Sequence, residues 1–268
     1  MTANLTKIIS RLQKEVFNEL FYLTSKTKPK KVFFDHVPKC GGLSLTDYLQ
    51  AHYLRRKTFS VNTYAITTST EDFKNASQQT RCKYDLVKGH MAHELIDHVS
   101  PECIKVTVLR EPVDRIISHY YYAKRVPTHY LFPIIHGSNM ELKDYATSNL
   151  SLELRNWYTT HYSGLNLDYA EQNAEESIGK AYDILMNRYD IVGLLSNLSE
   201  FAESLKKRAN FRFTYMNKKV NVTNNRLSVS QVDNTVLSRI KEVNYLDVIL
   251  YEKIRDAIIY KASKNLFT

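Results

Sequence analysis

Glycine and proline are scarce in this chain of 268 residues, seven and six respectively. With no Pro/Gly-rich tract, low-complexity stretch or internal repeat, linker-dominated, collagen-like and solenoid architectures are excluded. Cysteine is rarer still: Cys40, Cys82 and Cys103 are the whole set. Their odd number and wide spacing exclude a disulfide framework and a cysteine-based metal site, and favour a reducing compartment. No cluster of Asp, Glu and His has metal-ligand spacing either, so no metal is expected. No run of 18 apolar residues occurs, and the stretch up to Lys31 lacks the basic region and apolar core of a signal peptide. A cytoplasmic, bacterial-type soluble protein is expected, rather than one of the Golgi lumen.

What is present is an ordinary globular balance, 43% hydrophobic and 24% charged, with 37 Lys and Arg against 28 Asp and Glu. The resulting net charge of +9 favours an anionic partner without choosing among nucleic acid, nucleotide and polyanionic sugar. Apolar spacing predicts an N-terminal amphipathic helix around 4–24, then strand 31–36, helix 43–55, strand 84–89, strand 103–109 and helix 112–125. A largely helical middle follows, with a longer helix from about 168 to 186, a last strand in "YDIVGLL", helix 197–209, a polar segment 217–226 and two C-terminal helices. Strand and helix alternate, which predicts a parallel sheet. One domain over 29–268, preceded by a helical extension over 1–28, accounts for the pattern.

Two stretches carry chemistry. In "FFDHVPKCGGLSL", residues 33–45, a buried strand stops at Pro38, two glycines let the backbone approach a ligand, and a helix begins. The first amides of a helix have no partner within it and its dipole favours negative charge, so a phosphate or sulfate is the natural guest. A tight turn beside a solvated Lys39 would read the same way. A kinase-type P-loop requires Lys after the second glycine, whereas Lys39 precedes both. In "VTVLREPVDRIISHYYY", residues 106–122, Arg110 ends an apolar strand, where open α/β sheets bind ligands. Ser118 lies about two helical turns on, so guanidinium and hydroxyl can meet one phosphate. The alternative is an ion pair of Arg110 with Glu111 or Asp114 and a surface Ser118.

Together the two stretches resemble the 5′-phosphosulfate loop and the 3′-phosphate segment of sulfotransferases that use 3′-phosphoadenosine 5′-phosphosulfate (PAPS). They are most similar to the carbohydrate branch that includes heparan sulfate 2-O-sulfotransferases. The resemblance continues in order through "VKGHM", "NWYTTHYSG", "AYDILMNRYDIVGLLSNLSEFAESL" and "VNYLDVILYEKI", over roughly residues 31–260. It implies a P-loop-NTPase-like three-layer α/β sandwich with a central parallel sheet, and sulfuryl transfer from PAPS to an acceptor hydroxyl, with 3′-phosphoadenosine 5′-phosphate (PAP) as product. By the same resemblance Lys39 contacts the 5′-phosphosulfate and the amides of Cys40, Gly41, Gly42, Leu43 and Ser44 cradle it. Arg110 and Ser118 hold the 3′-phosphate, and Lys218 and Arg226, in the late loop of relatives, are further donor contacts. Cys40 and Leu43 stand where hydroxyl residues are usual, so Ser44 alone keeps its side-chain hydroxyl.

The acceptor hydroxyl needs a base, and an imidazole titrates in the right range. His90 matches the family's Gly-His segment and follows a strand; His93 is the nearest alternative and His36 reads as structural. Lys88, His93, Lys124 and Arg125 suit an anionic saccharide, with Arg55, Arg56, Lys57, Arg81 and Lys83 as further basic residues that border the same cleft. Cys40, at a helix start beside Lys39, reads as the reactive thiol. Two other readings are a P-loop-type ATP-dependent phosphotransferase and a non-catalytic polyanion-binding module. Neither a nucleic-acid-binding motif nor a membrane span is present, and oligomeric state is not encoded in any recognisable segment.

Overall fold

Strands β1 (Val32–His36), β2 (Thr58–Ser60), β3 (Leu86–His90), β4 (Ile104–Leu109) and β5 (Ile191–Leu194) form one sheet in the order β2-β3-β1-β4-β5. They are seen in a computed structural model that describes residue 13 and residues 16–20, 22–24, 27–216 and 226–264. The pairings of β1 with β3, β1 with β4 and β2 with β3 are parallel. All five residues of β1 are buried, as a central strand covered on both faces requires. The chain is thus an α/β protein with a central sheet and flanking helices, and its β1–glycine turn–helix unit gives it the P-loop-like form the sequence implied. The backbone divides into two compact units, Met1–Val108 with Asp190–Gly193 and Asn197–Val220, and Leu109–Tyr189 with Leu194–Ser196 and Asn221–Thr268.

In the first unit, helix α1 (Gly42–Gln50) buries Leu45, Tyr48 and Leu49, the spacing that lays one face on the sheet. It ends five residues earlier than the periodicity predicts, because His52 turns back and its Nδ1 donates to Tyr48 O at 2.9 Å. Helix α2 (Ile66–Asn75) and the three-residue β2 escaped the sequence reading. β2 is too short to show alternation, and α2 buries only Thr70 and Phe73. Of the expected N-terminal helix, residues 16–20 and 22–24 are helical and most of the remainder lies outside the described residues.

Beyond helix α6 (Leu198–Ala209), numbered after helices α3 to α5 of the second unit, the segment "FRFTY" runs along α1. Tyr48 Oη donates to Phe213 O at 3.0 Å, the Phe213 amide donates to His52 Nε2 at 3.3 Å, and Phe211 stacks on His52 with ring centroids 4.1 Å apart. His52 is therefore a neutral imidazole with one nitrogen donating and the other accepting. Burial pushes its pKa down to about 4. Since the unfolded chain takes up this proton near 6.5, stability is fully present above that pH and is lost as pH falls towards about 4, by about 3 kcal/mol. Buried His36 is shifted in the same direction. Urea unfolding of wild type and His52→Asn at pH 7.5 and pH 4.5 is expected to show a smaller pH-dependent loss in the variant.

The second unit is helical: α3 (Pro112–Arg125), α4 (Trp157–Ser163) and α5 (Ala174–Arg188), then α7 (Asn234–Val243) and α8 (Tyr245–Lys264). α3 starts where the sequence predicts because Glu111 caps it, accepting from the amides of Val113 and Asp114 at 3.1 and 2.7 Å, with Pro112 in its first turn. The expected helix over 168–186 is broken at Asn173 into Leu167–Gln172 and α5. Asp247 of α8 caps α4 from outside, accepting from the amides of Tyr158 and Thr159, each at 2.9 Å. The fully buried guanidinium of Arg115 lies 3.9 Å from Asp247 and 4.9 Å from the Tyr158 ring centroid, so the buried carboxylate has a counter-charge.

Candidate active site

The turn between β1 and α1 is built from strained backbone. Lys39 has φ 66° and Gly41 φ 76°, both left-handed, a conformation that costs a lysine about 1 kcal/mol and is retained mainly where the surroundings require it. The Cys40 amide, expected in the cradle, donates to Val37 O at 3.3 Å and closes the turn. α1 then begins with no side-chain cap and no acidic residue in its first turn. Its first amides and the positive end of its dipole are left for an anion.

Gly42 is required for packing rather than for its dihedral angles. A Cβ placed there would lie 1.6 Å from His36 Nε2. Gly42→Ala is accordingly expected to destabilise the protein by about 1–3 kcal/mol, read as a lowered unfolding midpoint, and His36→Ala in the same chain should recover part of the loss.

His36 and His90 end the paired strands β1 and β3 opposite one another, and their rings stack with centroids 4.0 Å apart. Burial holds the His36 pKa well below 6.5, and the charges of His90, Lys88 and Lys39 add to this. His36 is thus held in its neutral form. His90 is half-buried at the strand end, where Met91 turns the chain in a left-handed conformation into the short helical turn that carries His93. Lys88, two residues before His90 on the same face of β3, has its pKa lowered by burial, a shift opposed by Asp47 of α1.

In the second unit, Arg110 leaves β4 and its Nε donates to Asp114 Oδ2 at 2.6 Å. The ion pair weighed against an anion-binding role is therefore present. It is shared, however: Arg226 binds the other oxygen of the same carboxylate. One carboxylate between two guanidinium groups leaves a positive cluster. The Arg226 Nε is buried without a hydrogen-bond partner, and burial, followed by the charge of Arg110, lowers its pKa to about 10. Ser118 lies one turn beyond Asp114 on α3 and is partly exposed. Tyr158, fully buried, fixes the Arg110 backbone, its hydroxyl accepting from the amide at 3.2 Å and donating to the carbonyl at 2.9 Å.

Several basic residues expected at the cleft also have partners within the chain. Arg56 pairs with Glu19 and Lys57 with Asp85 at 3.1 Å, while Arg81 donates to the carbonyls of Lys74 and Ala76 at the end of α2. Lys124 donates to Tyr120 Oη at 3.0 Å and, with exposed Arg125, complements the dipole at the end of α3. Lys218 lies outside the described residues. Among the described residues, no group of three or more His, Cys, Asp or Glu is placed to hold a metal ion.

The thiols also rank differently from the sequence expectation. Cys40 is buried, with Sγ 3.6 Å from Pro38 O, whereas Cys82 is partly exposed. Burial pushes the Cys103 pKa up to about 12, in keeping with an inert thiol. Peptide mapping after brief alkylation at pH 7.5 should find Cys82 labelled first, Cys40 slowly and Cys103 last.

Sequence reasoning missed Tyr158, the bridging role of Asp114, and Tyr215, whose hydroxyl lies 2.9 Å from Ser44 Oγ. The signals were there in part: "FRFTY" alternates aromatic and polar residues, and Arg110, Asp114 and Ser118 are spaced by four, the last two along one face of α3.

A sequence profile of the sulfotransferase family matches residues 23–253. The uronyl 2-sulfotransferase homolog pip of Drosophila melanogaster is 28% identical over 138 residues, which are 47% of this chain and 27% of that protein. The match thus spans about a quarter of that relative's length. A solved sulfotransferase structure from Alicyclobacillus acidocaldarius is 15% identical, with a TM-score of 0.46 over 84% of this chain and 95% of that one.

Proposed function

Since the chain belongs to the sulfotransferase family, we propose that it transfers a sulfuryl group from PAPS to an acceptor hydroxyl on a saccharide, with residues 29–268 acting as one sulfotransferase domain. The observation that carries this reading is the turn from β1 into α1. It combines a left-handed Lys39, a left-handed Gly41 and a helix start without cap or carboxylate, which is the form of a site for a dense anion. The loop from Cys40 through Ser44 wraps the 5′-phosphosulfate. Arg110, Arg226 and Ser118 take the 3′-phosphate, the partnerless Nε of Arg226 being a donor suited to it. Lys218 adds a further donor contact.

In this mechanism His90 takes the acceptor's hydroxyl proton as the acceptor oxygen bonds to sulfur. The bond between sulfur and the 5′-phosphate oxygen breaks, and Lys39 stabilises the charge that builds on that phosphate as PAP departs. Neutral His36 matters here: the proton gained by His90 meets no second imidazolium at 4.0 Å. Lys88, His93, Lys124 and Arg125 face the acceptor, and the sugar-directed activity in the name of the Drosophila relative supports a saccharide in that role.

Calorimetry tests the donor assignment. PAP is expected to bind without magnesium and to be displaced poorly by ATP. Magnesium-dependent binding of ATP in preference to PAP would instead support a phosphotransferase.

A further inference from the structure

Between Lys39 and Leu45, in the stretch Cys40-Gly41-Gly42-Leu43-Ser44, Ser44 is the only residue with a side-chain hydroxyl. Ser44 has a single hydroxyl proton, and its Oγ donates to Gly41 O at 3.1 Å. The hydroxyl of Tyr215, 2.9 Å from Ser44 Oγ, must therefore be the donor in that second contact. A residue 171 positions further along the chain thus reaches the first turn of α1.

Tyr215 is held there by the whole of its segment. Phe211, Phe213 and Tyr215 alternate along their segment and meet α1 and the turn after it at Ser44, Tyr48 and His52, positions spaced by four. The Phe213 amide and carbonyl are tied to His52 and Tyr48, and the Tyr215 ring packs edge-on against Tyr48 with centroids 5.4 Å apart. The Tyr215 hydroxyl is thereby aimed by packing on a rigid helix.

We infer that Tyr215 is a positioning residue of the donor loop, acting through Ser44; the inference rests on the assignment of the α1 start to the 5′-phosphosulfate. To bind that anion, Ser44 turns its proton from Gly41 O towards the incoming oxygen. Tyr215 keeps donating to Ser44 Oγ during this turn. It fixes the side chain and polarises its O–H bond, since a hydroxyl that accepts a hydrogen bond is a stronger donor. A tyrosine from a remote segment thus reinforces the one side-chain hydroxyl of the loop.

The test is a double-mutant cycle with Ser44→Ala, Tyr215→Phe and the combined variant, read by PAP calorimetry, by donor KM and kcat, and by unfolding midpoints with and without PAP. Tyr215→Phe keeps the ring against Tyr48, so its midpoint without ligand should stay within about 2 °C of wild type. Each single change should raise the PAP Kd and the donor KM roughly ten-fold, and adenosine 5′-phosphate should be affected equally. The double variant should bind like Ser44→Ala alone. Wild-type affinity in Tyr215→Phe, additive losses in the double variant, or a lowered ligand-free midpoint with an unchanged PAP-induced shift would overturn the inference while leaving the donor assignment intact. Failure of wild-type protein to bind PAP would overturn both.

Discussion

Replacing His90 by alanine is expected to lower turnover roughly 10²- to 10⁴-fold while PAP affinity stays within about two-fold of wild type. The split between the two quantities follows from the proposed role, because a base acts on the acceptor and makes no contact required by the nucleotide. His90 closes β3 opposite His36, and their stacked rings hold the imidazole in place. Since loss of the ring also removes half of that stack, His90→Gln serves as a second variant that fills more of the space but does not titrate. Both variants should show the same loss. Rapid-quench measurement of single-turnover transfer, with PAP calorimetry beside it, checks the expectation. A His90→Ala protein that retains most of its turnover would transfer the role to His93, three residues on in the next helical turn.

Arg110→Ala should weaken PAP roughly 10- to 100-fold and adenosine 5′-phosphate by less than about two-fold, since only the former carries the 3′-phosphate that Arg110 is proposed to read. Its pairing with Asp114 does not oppose this role. The same carboxylate also binds Arg226, so removing Arg110 leaves one guanidinium balanced by one carboxylate and abolishes the excess positive charge that would attract a phosphate. Asp114→Ala should weaken PAP as well, through misplacement of both arginines, although it raises the local positive charge; a purely electrostatic role for the cluster predicts tighter binding instead. Isothermal titration of the two nucleotides against each variant separates these cases, and equal losses for both ligands in Arg110→Ala would remove the 3′-phosphate assignment.

The main elements of the site were legible in the sequence because each has a local cause. Pro38 and the glycine pair announce the end of β1 and the start of α1, and Glu111-Pro112 announces α3, whose predicted limits coincide with those observed. The strand ends that carry His90 and Arg110 follow from short apolar runs of strand length. What could not be read depends on partners distant in the chain. The neutral state of His36 comes from its burial and its neighbour on β3, the capping of α4 from Asp247 almost ninety residues later, and the second hydrogen bond of Ser44 from Tyr215. The same holds for the partners of the basic residues expected at the cleft. In the run Arg55-Arg56-Lys57, Arg56 pairs with Glu19 and Lys57 with Asp85, partners remote in sequence that the run itself does not reveal. Cys40 was misjudged for a related reason: its neighbours in sequence favour a thiolate, but its side chain folds under the turn and away from solvent.

The most direct measurement is transfer of label from ³⁵S-PAPS, without added magnesium, to a panel of saccharides that includes uronic acid-containing glycans, with phenols and peptides as controls. Radiolabelled saccharide and an equal amount of PAP are expected, both lost in Lys39→Ala and His90→Ala. Persistent transfer in both variants, or label appearing only in the phenols or peptides, would contradict it.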